Sequence, residues 1–312
     1  MNIEIESLID AKYRLHAGET EPWDLFVSAY NDSERVQRVF TTVPANKRAW
    51  WVLPEYAYGA GEISHLENAV HLEAGHEDEV VTRGMREIGF DSSQRLCVDI
   101  TGMMRPQILF LMAYLNDQGC RSFDLLYTEP EHYKRRAETR FSIGEDVEVR
   151  SVAGYIGAHE NDVNGDLLVL GVGYDHQLIS HALQAKEAAR ILQLHSFPSL
   201  SADMYHESIL RLHRVRSERS RIGDEVYFSS ANDPFVIASS LATAVDTVSK
   251  HRQITNIYLT PLATKPQAVG FGLYYLRHLT KRPASMIYPN ASLYDRETSK
   301  GVGRSWVYPI NL

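Results

Sequence analysis

Short apolar runs alternate with amphipathic stretches along this chain, and the hydrophobic period changes as they do. The runs at 25–27, 96–100, 125–127, 167–170, 226–228, 254–259 and 286–288 are rich in β-branched, aromatic and leucine residues and give way to polar, turn-forming residues. Such runs suit strands buried on both faces. Between them apolar residues return at helical spacing, at Val36 and Phe40, at Leu178, Ile179 and Leu183, and through 236–248. Strand and helix in alternation predict an α/β fold whose parallel sheets are covered on both sides.

The pattern occurs twice. Arg105-Pro106-Gln107 follows one strand and Lys265-Pro266-Gln267 another, and an ungapped alignment on these triplets also places Tyr114 on Tyr274. About twenty residues later each copy carries an apolar strand with Tyr-x5-Tyr, Tyr127 with Tyr133 and Tyr288 with Tyr294. Upstream, 24–32 resembles 166–175, each an apolar strand leaving through small residues into Tyr and Asp. Three landmarks in one order predict two Rossmann-like parallel-sheet halves related by internal duplication. The halves run over 1–156 and 157–312, with the boundary in the turn-rich stretch 157–165.

Proline at the start of a helix loses no hydrogen bond, so both triplets read as helix starts that carry a cation. Ligands of open parallel sheets bind beyond the carboxyl ends of the strands, and helix N-termini favour anions. Arg105 and Lys265 are therefore the candidate phosphate-facing residues, expected to meet one ligand in a shared cleft. Thr101, Gly102 and Thr264 lie in the same turns as candidate hydrogen-bonding partners. A third strand-end turn offers Ser229 and Asn232 to a base or ribose, although Asn and Asp before Pro234 serve equally as helix caps. Tyr30 and Tyr174 are candidates for stacking on a base. Asp175 is a candidate ligand contact or the cap of the helix that follows.

The bulk numbers narrow the class without choosing a function. A chain of 312 residues with 44% hydrophobic and 23% charged residues is of ordinary globular composition and can bury a large core. No apolar run approaches the roughly eighteen residues of a membrane span, and the acidic first residues lack the order of a signal peptide. Cys97 and Cys120 read as reduced thiols of a cytoplasmic protein. A net charge of −8 argues against nonspecific binding to duplex DNA, but it leaves room for a small anionic nucleotide in a local basic cleft.

Other constellations carry less. His65, His71 and His76 are spaced off any single helical face, so no metal site is expected. Gly171-Val172-Gly173 lacks the third glycine of a dinucleotide fingerprint, and no cofactor is expected. Arg211, Arg214, Arg216, Arg219 and Arg221, with a smaller run at Lys134, Arg135 and Arg136, read as solvated faces or as phosphate clamps. Arg304 and Trp306 either frame a ligand or fasten the C-terminal segment to the core.

The turns Asp99-Ile-Thr-Gly-Met-Met-Arg105 and Leu259-Thr-Pro-Leu-Ala-Thr-Lys265 resemble those of the CRISPR-associated Rossmann-fold (CARF) sensor domains and the related SAVED domains. In that family a Thr-Gly-Gly-Thr-Lys-like turn opens a helix and contacts the ligand. The first turn keeps Thr-Gly and a cation and the second keeps Thr-Lys; both lack the double glycine. The resemblance covers these turns and the helices behind them. It implies a cytoplasmic sensor of an oligonucleotide second messenger, acting through an effector protein in trans, in antiviral defence, with a homodimer compatible. The residues themselves leave open a nucleotide-processing hydrolase, a phosphodiesterase or glycosidase with Asp99, Asp175 or His176 as acid or base. They also leave open a non-catalytic structural subunit.

Overall fold

The computed structural model describes residues 10–16, 20–133, 142–200, 206–210, 212, 225–296 and 299–312. Lys134, Arg135 and Arg136, and Arg211, Arg214, Arg216, Arg219 and Arg221, the two basic runs, lie outside the described residues. Strands are numbered in chain order: β1 Tyr13–Arg14, β2 Trp23–Ala29, β3 Ala45–Val52, β4 Ala69–His71, β5 Leu96–Asp99, β6 Ser122–Thr128, β7 His132–Tyr133 and β8 Ser142–Ser151. They continue as β9 Leu167–Gly171, β10 Arg190–Ser196, β11 Glu225–Ser229, β12 Ile257–Pro261, β13 Ala284–Tyr294, β14 Ser299–Lys300 and β15 Ser305–Asn311. The longer helices are α1 Glu34–Thr42, α2 Glu77–Glu87, α3 Arg105–Asp117, α4 His176–Ala185, α5 Pro234–His251 and α6 Lys265–Tyr274.

By contacts the chain forms two units, one of Asp10–Gly144 with Ser292–Leu312 and one containing Glu145–Ala291. In the first, the sheet order is β1-β15-β6-β5-β2-β3-β4. Strands β4, β3, β2, β5 and β6 are mutually parallel, while β15 runs antiparallel to β6 and β1 antiparallel to β15. Numbered by appearance, the parallel strands take the order 3-2-1-4-5, the doubly wound arrangement, whose direction reverses between β2 and β5. The run of buried side chains on β2, broken only by Asp24, is what a strand covered on both faces requires. Trp23 and Phe26 pack with Val39 and Val43 at the end of α1, with Cys97 and Leu126 on neighbouring strands, and with Val307 on β15.

The second sheet has the order β11-β10-β9-β12-β13-β8. Its strands β11, β10, β9, β12 and β13 are parallel neighbours. The order is again 3-2-1-4-5, reversing between β9 and β12. Two Rossmann-like α/β halves are thus present, with β15 and β1 beyond the fifth parallel strand of the first sheet and β8 beyond that of the second. Where sequence places the division at 156/157, the contacts place one near 144/145 and return 292–312 to the first unit. The reason is β15, which pairs along its whole length with β6 and completes that edge of the first sheet.

Candidate functional site

The two triplets do the same local work. Arg105 and Lys265 are the first residues of α3 and α6, each followed by proline and glutamine, and both cations are partly exposed. The Gln107 Oε1 accepts the Met104 N–H at 3.1 Å, and the Gln267 Oε1 accepts the Ala263 N–H at 3.1 Å. Each glutamine thus folds back over its own helix start, satisfying a backbone donor ahead of the first turn. In α6 the Thr264 hydroxyl also accepts the Gln267 N–H at 3.2 Å and donates to the Ala231 carbonyl at 2.6 Å. Thr264 is therefore an N-cap tied to the turn after β11.

In the first unit the reversal point is closely knit. Asp99 is fully buried; its Oδ1 accepts the Thr101 N–H at 2.9 Å and its Oδ2 the Ser28 hydroxyl at 2.9 Å. Thr101, 1% exposed, uses its hydroxyl oxygen to accept the Thr128 N–H at 3.0 Å. The Thr128 carbonyl in turn accepts from the Arg35 guanidinium at 2.8 Å. A side chain on Gly102 would stand 2.1 Å from the Ala29 carbonyl oxygen, so this glycine lets the β5 turn lie against the end of β2. Thr101 and Gly102 thus fasten strand ends, an occupation that sequence alone did not distinguish from ligand contact.

The turn after β3 arches over this point. The Tyr56 hydroxyl donates to the Gly102 carbonyl at 2.8 Å and lies 3.2 Å from the Asn31 amide, and burial pushes its pKa up to about 12. Beside it, Glu55 Oε1 accepts from Gln107 Nε2 at 2.7 Å. Glu55 Oε2 is enclosed by protein and makes no hydrogen bond among the described residues. Burial holds this carboxyl above the ordinary range, although the bonds from its own backbone and from Gln107 act the other way.

Tyr30 is 5% exposed and lies within an aromatic cluster. Its ring meets Trp50 edge-on at 5.4 Å and tilts toward Tyr58 at 5.2 Å. Burial, then the nearby Asp32 carboxylate, raises the pKa of both the Tyr30 and Tyr58 phenols. The Tyr30 ring is thus packed among protein side chains. Arg296 closes this corner: it donates to the Tyr56 carbonyl at 2.7 Å, to the Ala57 carbonyl at 2.5 Å and to Glu62 at 2.7 Å, and its guanidinium sits 4.0 Å over the Tyr58 ring. Arg304 and Trp306 both bind Glu129, at 2.9 Å each, which fastens β15 to the end of β6.

In the second unit, Asp175 is the N-cap of α4, accepting from the Gln177 and Leu178 N–H groups at 3.1 and 3.3 Å; Tyr174 precedes it, partly exposed. The close approach recurs here with the glycine on the other strand end: Gly173 follows β9, and a side chain there would stand 1.9 Å from the carbonyl oxygen of Leu262, which follows β12. Asp233 caps α5, and the Asn232 carboxamide and Ser230 hydroxyl bond each other at 3.2 Å. Ser229, at the end of β11, is 5% exposed, and its hydroxyl has no hydrogen-bond partner among the described residues. Its register partner on β10, Ser196, shares that condition.

Of the predicted residues, Thr101, Gly102 and Arg105 share one strand-end turn of the first unit, and Thr264 and Lys265 one turn of the second. Thr264 is joined to the turn that carries Asn232 by its bond to Ala231. Glu55 escaped the sequence reading because its turn carries no motif; the single signal was an acidic residue following Pro54 at the end of an apolar strand. Among the described residues no group of His, Cys, Asp or Glu is arranged to hold a metal ion, and no helix is long and apolar enough to cross a membrane. No family model and no curated protein matches the chain.

Proposed function

We propose that this protein is a nucleotide sensor that binds an oligonucleotide second messenger and passes the signal to a partner protein, in the cytosol and in antiviral defence. The observation that carries the reading is the equivalence of Arg105 and Lys265. Each is the first residue of the helix that follows the fourth strand of a 3-2-1-4-5 sheet, beside the point where strand order reverses. Ligands of such sheets gather there, and a cation at a helix start adds to the favourable end of the helix dipole for phosphate. Two units with one strand order and one helix-start motif are also what an internal duplication would leave. Of the acid or base candidates of the hydrolase reading, Asp99 and Asp175 already serve as backbone acceptors, which leaves it His176.

A thermal-shift screen with cyclic oligoadenylates of increasing ring size tests this directly. A ring present at a hundred times its dissociation constant should add about 2.7 kcal/mol of stability, and chromatography should recover it intact. Recovery of cleaved product would favour the hydrolase. No shift with any ring would leave the structural subunit.

A further inference from the structure

We infer that the cavity at the open edge of β3 is a small-molecule site for a planar aromatic group bearing one carboxylate or phosphate. It lies near the amino end of the first sheet, away from the strand-end turns, and stands independently of the nucleotide reading.

The edge strand is too short to cover its neighbour. Strand β4 has three residues and pairs with β3 from Trp50 to Val52, which leaves the first half of β3 without an outer strand among the described residues. The Trp50 N–H donates to the Asn68 carbonyl at 3.0 Å, and the Val52 carbonyl accepts the Leu72 N–H at 3.1 Å. Since main-chain groups alternate along a strand, those of Asn46 and Arg48 face the same edge. Between this edge and the segment 65–68 that leads into β4 lies a cavity of about 390 Å³. That is within the range of roughly 300–1,000 Å³ found for ligand pockets.

Its walls differ in character. Phe40 of α1 stacks on Trp50 with ring centroids 3.5 Å apart and planes at 14°. Both rings line the cavity with Leu66, and Phe40 is the more exposed of the two. Arg48 supplies the charge. Side-chain alternation puts it on the Trp50 face of β3, where Nη2 donates to the Val43 carbonyl at 2.6 Å and so fixes the guanidinium. No carboxylate pairs with it among the described residues. Lys47 turns to the opposite face, where its ammonium donates to the Ile88 carbonyl. Glu67, an exposed lining residue, opposes an anion. A guanidinium held in place beside an aromatic wall suits a ligand that joins a flat apolar ring to an anionic head, since the fork matches carboxylate or phosphate.

Saturation-transfer NMR titration of the full chain with naphthoate, naphthyl phosphate and naphthalenemethanol tests the inference, because the three share a ring and differ in head group. At least one anion should bind about tenfold or more tightly than the neutral alcohol, and the better anion identifies the head group. Arg48→Met should bring that anion down to the affinity of the alcohol, and Glu67→Gln should tighten it about twofold or more. The alcohol binding as tightly as both anions, an anion preference that survives Arg48→Met, or binding that weakens in Glu67→Gln would overturn the inference. Binding of none of the three would do the same. Should Arg48→Met fail to fold, Leu66→Trp fills the cavity with a large ring and should abolish anion binding; affinity retained there would also overturn it. The cyclic oligoadenylate screen is unaffected by any of these outcomes.

Discussion

Gln107 Nε2 lies 2.7 Å from Glu55 Oε1, and this bond fastens the start of α3 to the turn after β3 across the end of β2. A single carboxamide therefore caps its own helix and anchors a neighbouring turn. Among the described residues its counterpart Gln267 shows the first of these bonds and not the second. Gln107→Leu should accordingly cost about 2–4 kcal/mol, since two buried polar groups lose their partner, and Gln267→Leu about 1–2 kcal/mol. Chemical denaturation of the two variants checks the difference.

The close approaches at the two reversal points predict intolerance of even one methyl group. Gly102→Ala would drive a carbon to within 2.1 Å of a backbone oxygen, which no side-chain rotation relieves. A loss of about 3 kcal/mol or more is expected. Gly61→Ala, where nothing lies within 4 Å of the added carbon, should be neutral or slightly stabilising. Urea midpoints measure both.

Arg296 predicts a test of geometry over charge. Its fork spans the Tyr56 and Ala57 carbonyls and Glu62 while its plane covers Tyr58. Arg296→Ala should cost about 1–3 kcal/mol, and Arg296→Lys should recover less than half, because an ammonium cannot make the divergent contacts. Melting temperatures of the pair decide it.

Two buried groups give opposite slopes with pH. Burial lowers the His195 pKa from 6.5 to about 4, so between these values the unfolded chain binds the proton and the folded one does not. Stability should fall as pH drops from about 6.5 toward 4, and His195→Gln should flatten that fall. Glu55 has a raised folded pKa, so its contribution is fully present below the ordinary carboxylate range and is lost as pH rises through the raised value. Glu55→Gln should therefore gain on the wild type as pH rises. Stability curves over pH 4 to 8 separate the two residues.

Local signals carried far in this chain. The apolar runs located β2, β5, β6, β9, β11, β12 and β13 but passed over β3, β4 and β10, and Pro-Gln at helix starts was legible because capping acts over three or four residues. Asp175 as a cap was legible for the same reason. The return of β15 to β6 was not, since an antiparallel pairing across 177 positions, as between Thr128 and Ser305, leaves no local trace. Tyr30 was read as a stacking surface because the partners that bury it, Trp50 and Tyr58, lie twenty and more residues away. Glu55 becomes meaningful only once its turn is seen to reach Gln107, fifty-two residues further on.

The central claim of the proposed function is that Arg105 in one unit and Lys265 in the other each meet phosphate at its own helix start. Its most direct test is a calorimetric titration of the wild type, Arg105→Ala and Lys265→Ala with whichever cyclic oligoadenylate stabilises the wild type. The account predicts affinity falling about tenfold or more in each variant. Full affinity retained in both variants would contradict it.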